Sequence, residues 1–126
     1  MMKVVVRYID GGVTKESHKL YNKFLEYLHK NYPLKKDIEI IFLGHRKGHM
    51  STGSDTDKNL IKVLVKNRLN RDILRTLAHE WIHEYQKQVS KTKGKLKRED
   101  ESNMLAGRIL KKFEEKYPKT KPQIYD

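Results

Sequence analysis

Apolar positions along the chain change period several times, and each change marks an element. From Lys3 to Ile9 the residues are mostly β-branched or apolar, which predicts a strand ended by Asp10-Gly11-Gly12. Thr14 is placed to cap a helix with Glu16 in its first turn. Leu20, Phe24 and Leu28, with Tyr21, Leu25 and Tyr27, form that helix's apolar face, and Pro33 lies beyond its end. A second strand runs from Asp37 to Leu43; it alternates at first and then becomes continuously apolar, the pattern of a central strand. Residues 44–58 are rich in Gly, Ser, Thr and Asp and read as a long loop with room for an exposed edge strand. Asn59 to Lys66 is a third strand. The pattern predicts an α+β domain with about three strands, or four if the loop contributes one.

The longest helical period follows. Ile73, Leu74, Leu77, Ala78, Trp81, Ile82, Tyr85 and Val89 recur at helical spacing and predict a helix from about Asn70 to Val89. On a helical wheel these residues fill one side, while His79, Glu80 and His83 lie on the other with Asp72, Thr76 and Gln86. His79 and His83 sit one turn and about 40° apart, so both imidazoles can address a single metal ion. His79-Glu80-Trp81-Ile82-His83 is a His-Glu-x-x-His sequence. In that arrangement the histidines bind zinc and the glutamate serves as general base for a water.

A basic linker, Ser90 to Arg98, leads into a last helix from about Arg98 to Tyr117, ended by Pro118. The final residues to Asp126 show no periodicity, so residues 1–117 are read as one domain and 118–126 as a tail.

Composition narrows the chemistry. There is no cysteine, so disulfides and Cys-ligated zinc are excluded and His, Asp or Glu must hold any metal. No run of 18 apolar residues and no leader pattern at Met1 occur, so a cytoplasmic protein with no membrane span is expected, as a monomer. Lys and Arg number 28 against 16 acidic residues, a formal charge of +12, which favours nucleic acid or an acidic protein as partner.

A hydrolytic zinc site needs a third protein ligand. The six histidines are His18, His29, His45, His49, His79 and His83, and none follows His83. His45 and His49 lie in the long loop and read as surface residues. The third ligand is therefore expected on the last helix, where Glu99, Asp100 and Glu101 are available. Taking Glu99 as zero, Asn103, Ala106, Ile109, Leu110, Phe113 and Tyr117 fall within about 80° of it. Glu101 is about 200° away, on the wet side with Arg108, Lys112 and Glu115. A carboxylate heading an inward stripe needs a partner, because an unpaired buried charge is costly. Glu99 is the expected ligand, Glu101 the alternative, and Asn103 is one turn along from Glu99, placed to hydrogen-bond a ligand.

The segment Leu77 to His83, followed by Glu99-Asp100-Glu101-Ser102-Asn103-Met104-Leu105-Ala106, resembles the gluzincin-type zinc metallopeptidases. It is most similar to the compact ImmA/IrrE-like proteins and minimal gluzincins, whose second motif runs Glu-x-Glu-Ala-Asn-x-Phe-Ala. Ser102 replaces Ala and Leu105 replaces Phe. The resemblance implies a zincin-like fold, one zinc ion held by His79, His83 and Glu99, Glu80 as catalytic base, and a peptide or protein substrate aligned along a sheet edge. The alternative expectation is a basic, nucleic-acid-associated regulatory protein that uses a zinc-stabilised zincin scaffold and has little general proteolytic activity.

Overall fold

The computed structural model describes residues 2–9, 11, 13–44, 54–57 and 59–125, with backbone alone for 54–57. Among the described residues there are four strands: β1 (Val4–Ile9), β2 (Ile38–Leu43), β3 (Ser54–Asp57) and β4 (Leu60–Leu64). They form one sheet in the order β1-β2-β4-β3. β1, β2 and β4 are parallel, and β3 returns antiparallel on the outer edge of β4. The continuous apolarity of β2 follows from its place between two neighbours, and five of its six residues are buried. The edge strand allowed for in the 44–58 loop is therefore β3, while His45 and His49 lie outside the described residues.

The helices are α1 (Lys15–Asn31), α2 (Asn70–Tyr85), α3 (Lys95–Lys116) and the short α4 (Lys121–Tyr125). Thr14 caps α1 as its sequence suggests, its Oγ1 accepting from the Ser17 amide at 3.1 Å. The α1 face of Leu20, Tyr21, Phe24, Leu25 and Leu28 is buried. It shares one core with Ile38, Ile40, Phe42, Ile61 and Val63 of the sheet. The parallel register puts those strand residues on a single face, so the domain has two layers, with a helical layer against one side of the sheet. The opposite face carries the smaller cluster of Ile41, Leu43 and Leu64.

α2 is the helix around which the others gather: it packs on α3 and also touches α1, α4 and β4. Its apolar stripe is completely used, since Ile73, Leu74, Leu77, Ala78, Trp81 and Ile82 are all buried. Trp81 is too large to bury without satisfying its indole N–H, and Nε1 donates to the Tyr32 carbonyl at 2.8 Å. The α2 start is tied down by Asn70, whose Oδ1 accepts from the Tyr21 hydroxyl at 2.6 Å and whose Nδ2 donates to the Gln123 carbonyl at 3.0 Å.

Two segments differ from the sequence expectation. The helix expected to run to Val89 is α-helical only to Tyr85, then continues as a π-helical turn from Gln86 to Ser90. Lys91 ends that turn in the left-handed conformation, φ 55°, its amide donating to the Gln86 carbonyl at 2.8 Å. The following linker is shorter than expected, because α3 already begins at Lys95, after Gly94 at φ 93°. The aperiodic residues after Tyr117 form a 3₁₀ turn (Pro118–Thr120) and α4, and Ile124 is fully buried in the main core. Nine residues are too few for a helical period to show, but one isoleucine suffices to anchor them. Among the described residues no helix is long and apolar enough to cross a membrane.

Candidate metal centre

The last two turns of α2 turn their polar side toward the start of α3. His79 and His83 follow each other by one turn, and their Nε2 atoms are 3.1 Å apart. Glu99 reaches them from α3, with Oε1 3.1 Å from His83 Nε2 and Oε2 3.5 Å from His79 Nε2. Glu80 completes the group at 3.8 Å from His79 Nε2, with its side chain only 12% exposed. The donor atoms of His79, Glu80 and His83 all lie within 4.8 Å of one another. Atoms bound to one tetrahedral zinc at about 2.0–2.1 Å sit roughly 3.3–3.4 Å apart. The three distances between His79, His83 and Glu99 bracket that edge length, so this donor set fits a zinc-sized ion.

The chemistry of the contacts points the same way. Gln86 Nε2 donates to two groups that can only accept, the Arg98 carbonyl at 3.0 Å and Glu101 Oε1 at 2.8 Å. This fixes the amide so that Oε1 faces His83 Nδ1, 3.0 Å away. In its neutral form His83 then carries the proton on Nδ1 and presents the Nε2 lone pair toward His79 and Glu99. Ser102, fully buried, has its Oγ 3.3 Å from the same Nε2 and donates to the Glu99 carbonyl at 3.1 Å. A nitrogen lone pair facing a second imidazole nitrogen and a carboxylate is the arrangement that a cation resolves.

Burial pushes the His79 imidazole below its usual range, and the nearby His83 pushes in the same direction. Glu80 opposes the shift, as do Glu99 and the Asn103 side chain within hydrogen-bonding reach. The net result favours the neutral imidazole, the form that ligates metal.

Among the described residues, each one singled out for the centre now has a place. His79, Glu80, His83 and Glu99 come together. Glu99 does not head the inward stripe, however: its side chain is 47% exposed, because the buried line of α3 runs through Ser102, Ala106, Ile109 and Phe113. Glu99 and Asn103 flank that line at the solvent edge, from which Glu99 arches over to the histidines. Glu101, the alternative ligand, is instead held by Gln86 and by the Thr92 hydroxyl at 3.3 Å. The sequence reading missed Ser102 as a contact and Gln86 as the partner of His83. Gln86 lies on the histidine side of the wheel, but only its meeting with α3 reveals the role.

Behind the centre, Glu84 is 1% exposed and accepts from Lys87 Nζ and Gln88 Nε2, both at 3.1 Å. Gln88 Oε1 in turn accepts from the Lys35 and Lys36 amides at 2.9 Å each. The π-helical turn brings Gln86 and Gln88 both into buried positions. It thereby joins the histidine-bearing side of the helix to the loop after α1, in keeping with the frequent placement of such turns at functional sites.

Comparison with protein-family models, with curated proteins and with solved structures finds no match.

Proposed function

We propose that this protein is a zinc-dependent peptidase of the gluzincin type, with a zincin-like domain built from the sheet, α2 and α3. The observation that carries the reading is the convergence of His79 Nε2, His83 Nε2 and the Glu99 carboxylate, with Glu80 beside them. The order of elements supports it as well: strands, the His-Glu-x-x-His helix, then a helix presenting a glutamate to both histidines. Zinc, when bound, supplies a Lewis acid that lowers the pKa of water and polarises a carbonyl. His79 and His83 hold the metal through neutral Nε2 atoms, Gln86 keeps His83 in the required tautomer, and Glu99 contributes the anionic ligand.

Glu80 is the proton carrier. Its carboxylate takes the proton from the attacking water and delivers it to the departing amine nitrogen. The low exposure of its side chain limits competition from bulk solvent for that proton. An extended substrate adds alongside β3, the outermost strand of the sheet, by main-chain hydrogen bonding.

The test joins metal content to turnover. Elemental mass spectrometry should find about one zinc per chain in the purified protein and a clear loss in Glu99→Ala. Glu80→Gln should retain the metal and lose peptide hydrolysis. Hydrolysis by Glu80→Gln at the wild-type rate would remove Glu80 from its role. Absence of metal from protein refolded with zinc would overturn the whole reading.

A further inference from the structure

A cavity of about 540 Å³ adjoins the candidate metal centre, and His83 and Gln86 are among the residues that line it. Among the described residues its remaining lining contains four cationic side chains, Lys87, Lys91, Lys93 and Arg98, and no carboxylate. Two of the four are already engaged. Lys87 Nζ pairs with the buried Glu84 at 3.1 Å, and Lys91 Nζ donates to the Lys87 carbonyl at 2.9 Å. Among the described residues, Lys93 and Arg98 have no carboxylate partner. Of the acids at the start of α3, Glu99 is turned to the two histidines, and Glu101 accepts from Gln86 and from the Thr92 hydroxyl. The start of α3 adds to the same potential, since its first turn has no acidic residue and its N-cap, Gly94, offers no side chain to the free amides. An unneutralised guanidinium and ammonium at the mouth of a concave site select a carboxylate, the guanidinium by bidentate geometry.

We propose that this cavity is a specificity subsite for an acidic side chain, Asp or Glu, flanking the scissile bond of the peptide substrate. The proposal rests on the peptidase reading. Because His83 belongs to both the centre and the cavity wall, a side chain seated against Arg98 and Lys93 holds the neighbouring peptide bond close to the centre. Arg98 and Lys93 are binding residues here: they anchor the substrate and take no part in the bond-breaking step.

The experiment uses zinc-loaded full-length protein and short peptides, acetylated and amidated at their ends, with Glu, Gln or Lys fixed at one position of an otherwise mixed sequence. Binding is read by calorimetry and cleavage by mass spectrometry. Glu peptides should be favoured over Gln peptides by about 10- to 100-fold, the range expected for one hydrogen bond between charged groups. That preference should vanish in Lys93→Gln/Arg98→Gln and invert toward Lys peptides in Lys93→Glu/Arg98→Glu. Both positions are at least partly exposed, and the Gln86 contact uses the Arg98 carbonyl, so the charge changes leave the fold intact.

Equal binding and cleavage of the three peptide classes would overturn the subsite. Recovery of the preference only in peptides with a free C-terminus would assign the cavity to a terminal carboxylate and also overturn the side-chain proposal. Displacement of the acidic peptides by a DNA duplex at lower concentration, with the same dependence on Arg98, would do so too. Selective binding of acidic peptides without cleavage of any of them would uphold an acid-binding cavity and overturn the peptidase reading instead.

Discussion

Gln86 Oε1 lies 3.0 Å from His83 Nδ1, and the contact determines which nitrogen of His83 faces α3. The amide cannot turn over, because its Nε2 is committed to the Arg98 carbonyl and to Glu101. A single side chain at the start of the π-helical turn thus sets the neutral tautomer of His83, a candidate metal ligand two elements away from Glu101. Gln86→Leu should weaken zinc binding by about 10–100-fold while the fold persists, the usual effect of losing a partner that orients a ligand. Competition against a chelating dye, with far-ultraviolet circular dichroism alongside, measures both.

Glu99 and Glu101 are two residues apart and have opposite roles. Glu99→Gln should reduce zinc affinity strongly, because it removes the anion that meets both histidines. Glu101→Gln should keep about one zinc per chain with a smaller loss, because Glu101 acts only through Gln86. The reverse order in a zinc titration would make Glu101 the ligand.

The lowered His79 pKa has a definite sign for stability. The unfolded chain takes up a proton on this residue near pH 6.5, about its ordinary value. The folded protein resists that proton, chiefly because the imidazole is buried. The unfolded state therefore binds more protons, and stability rises with pH. For metal-stripped protein, this contribution is complete above about pH 6.5 and is lost as pH falls through the depressed folded value. Urea midpoints on either side of that window should show a larger acid loss in the wild type than in His79→Asn. Equal losses would mean that His79 is not held neutral.

Gln88 connects a buried carboxylate to two loop amides. Gln88→Leu removes one donor to Glu84 and leaves the Lys35 and Lys36 amides without their acceptor. A buried group left unsatisfied costs on the order of 1–3 kcal/mol; these amides are part-buried and each costs less, but with the lost donor to Glu84 the total should exceed that of Lys87→Ala, whose ammonium is largely exposed. Chemical denaturation of the two variants makes the comparison.

The end of the chain contributes to the core. Ile124 is fully buried, and Asn70 holds the Gln123 carbonyl. Ile124→Ala should destabilise the protein by about 2–5 kcal/mol, the range for truncating a buried isoleucine. A change within a few tenths of a kcal/mol, seen by thermal or urea unfolding, would show the end of the chain to be a separable tail.

Much of the architecture is legible because period depends on local sequence. The β-branched, apolar run of Val4–Ile9, the continuous apolarity of Ile38–Leu43 and the stripe from Ile73 to Ile82 each favour one kind of element. His79, Glu80 and His83 of the His-Glu-x-x-His sequence share a helix, so their mutual placement also follows from helical pitch. Glu99 could be selected on its own helix by angle, but its half-exposed position could not. The centre of a buried stripe depends on where the neighbouring helix lies, and here Ser102 takes the place nearest α2.

By itself, then, the sequence determined β1, β2 and β4, the body of α1, α2 and α3, the capping of α1 and the common face of His79 and His83, all consequences of spacing along one element. The tertiary structure decided the rest: which glutamate meets the histidines, how Gln86 orients His83, where Ile124 is buried, and that Lys93 and Arg98 border a cavity at the centre. These relations join residues on different elements. Their distances are set by how α2 and α3 pack and by the π-helical turn between them, neither of which has a period that a sequence can display.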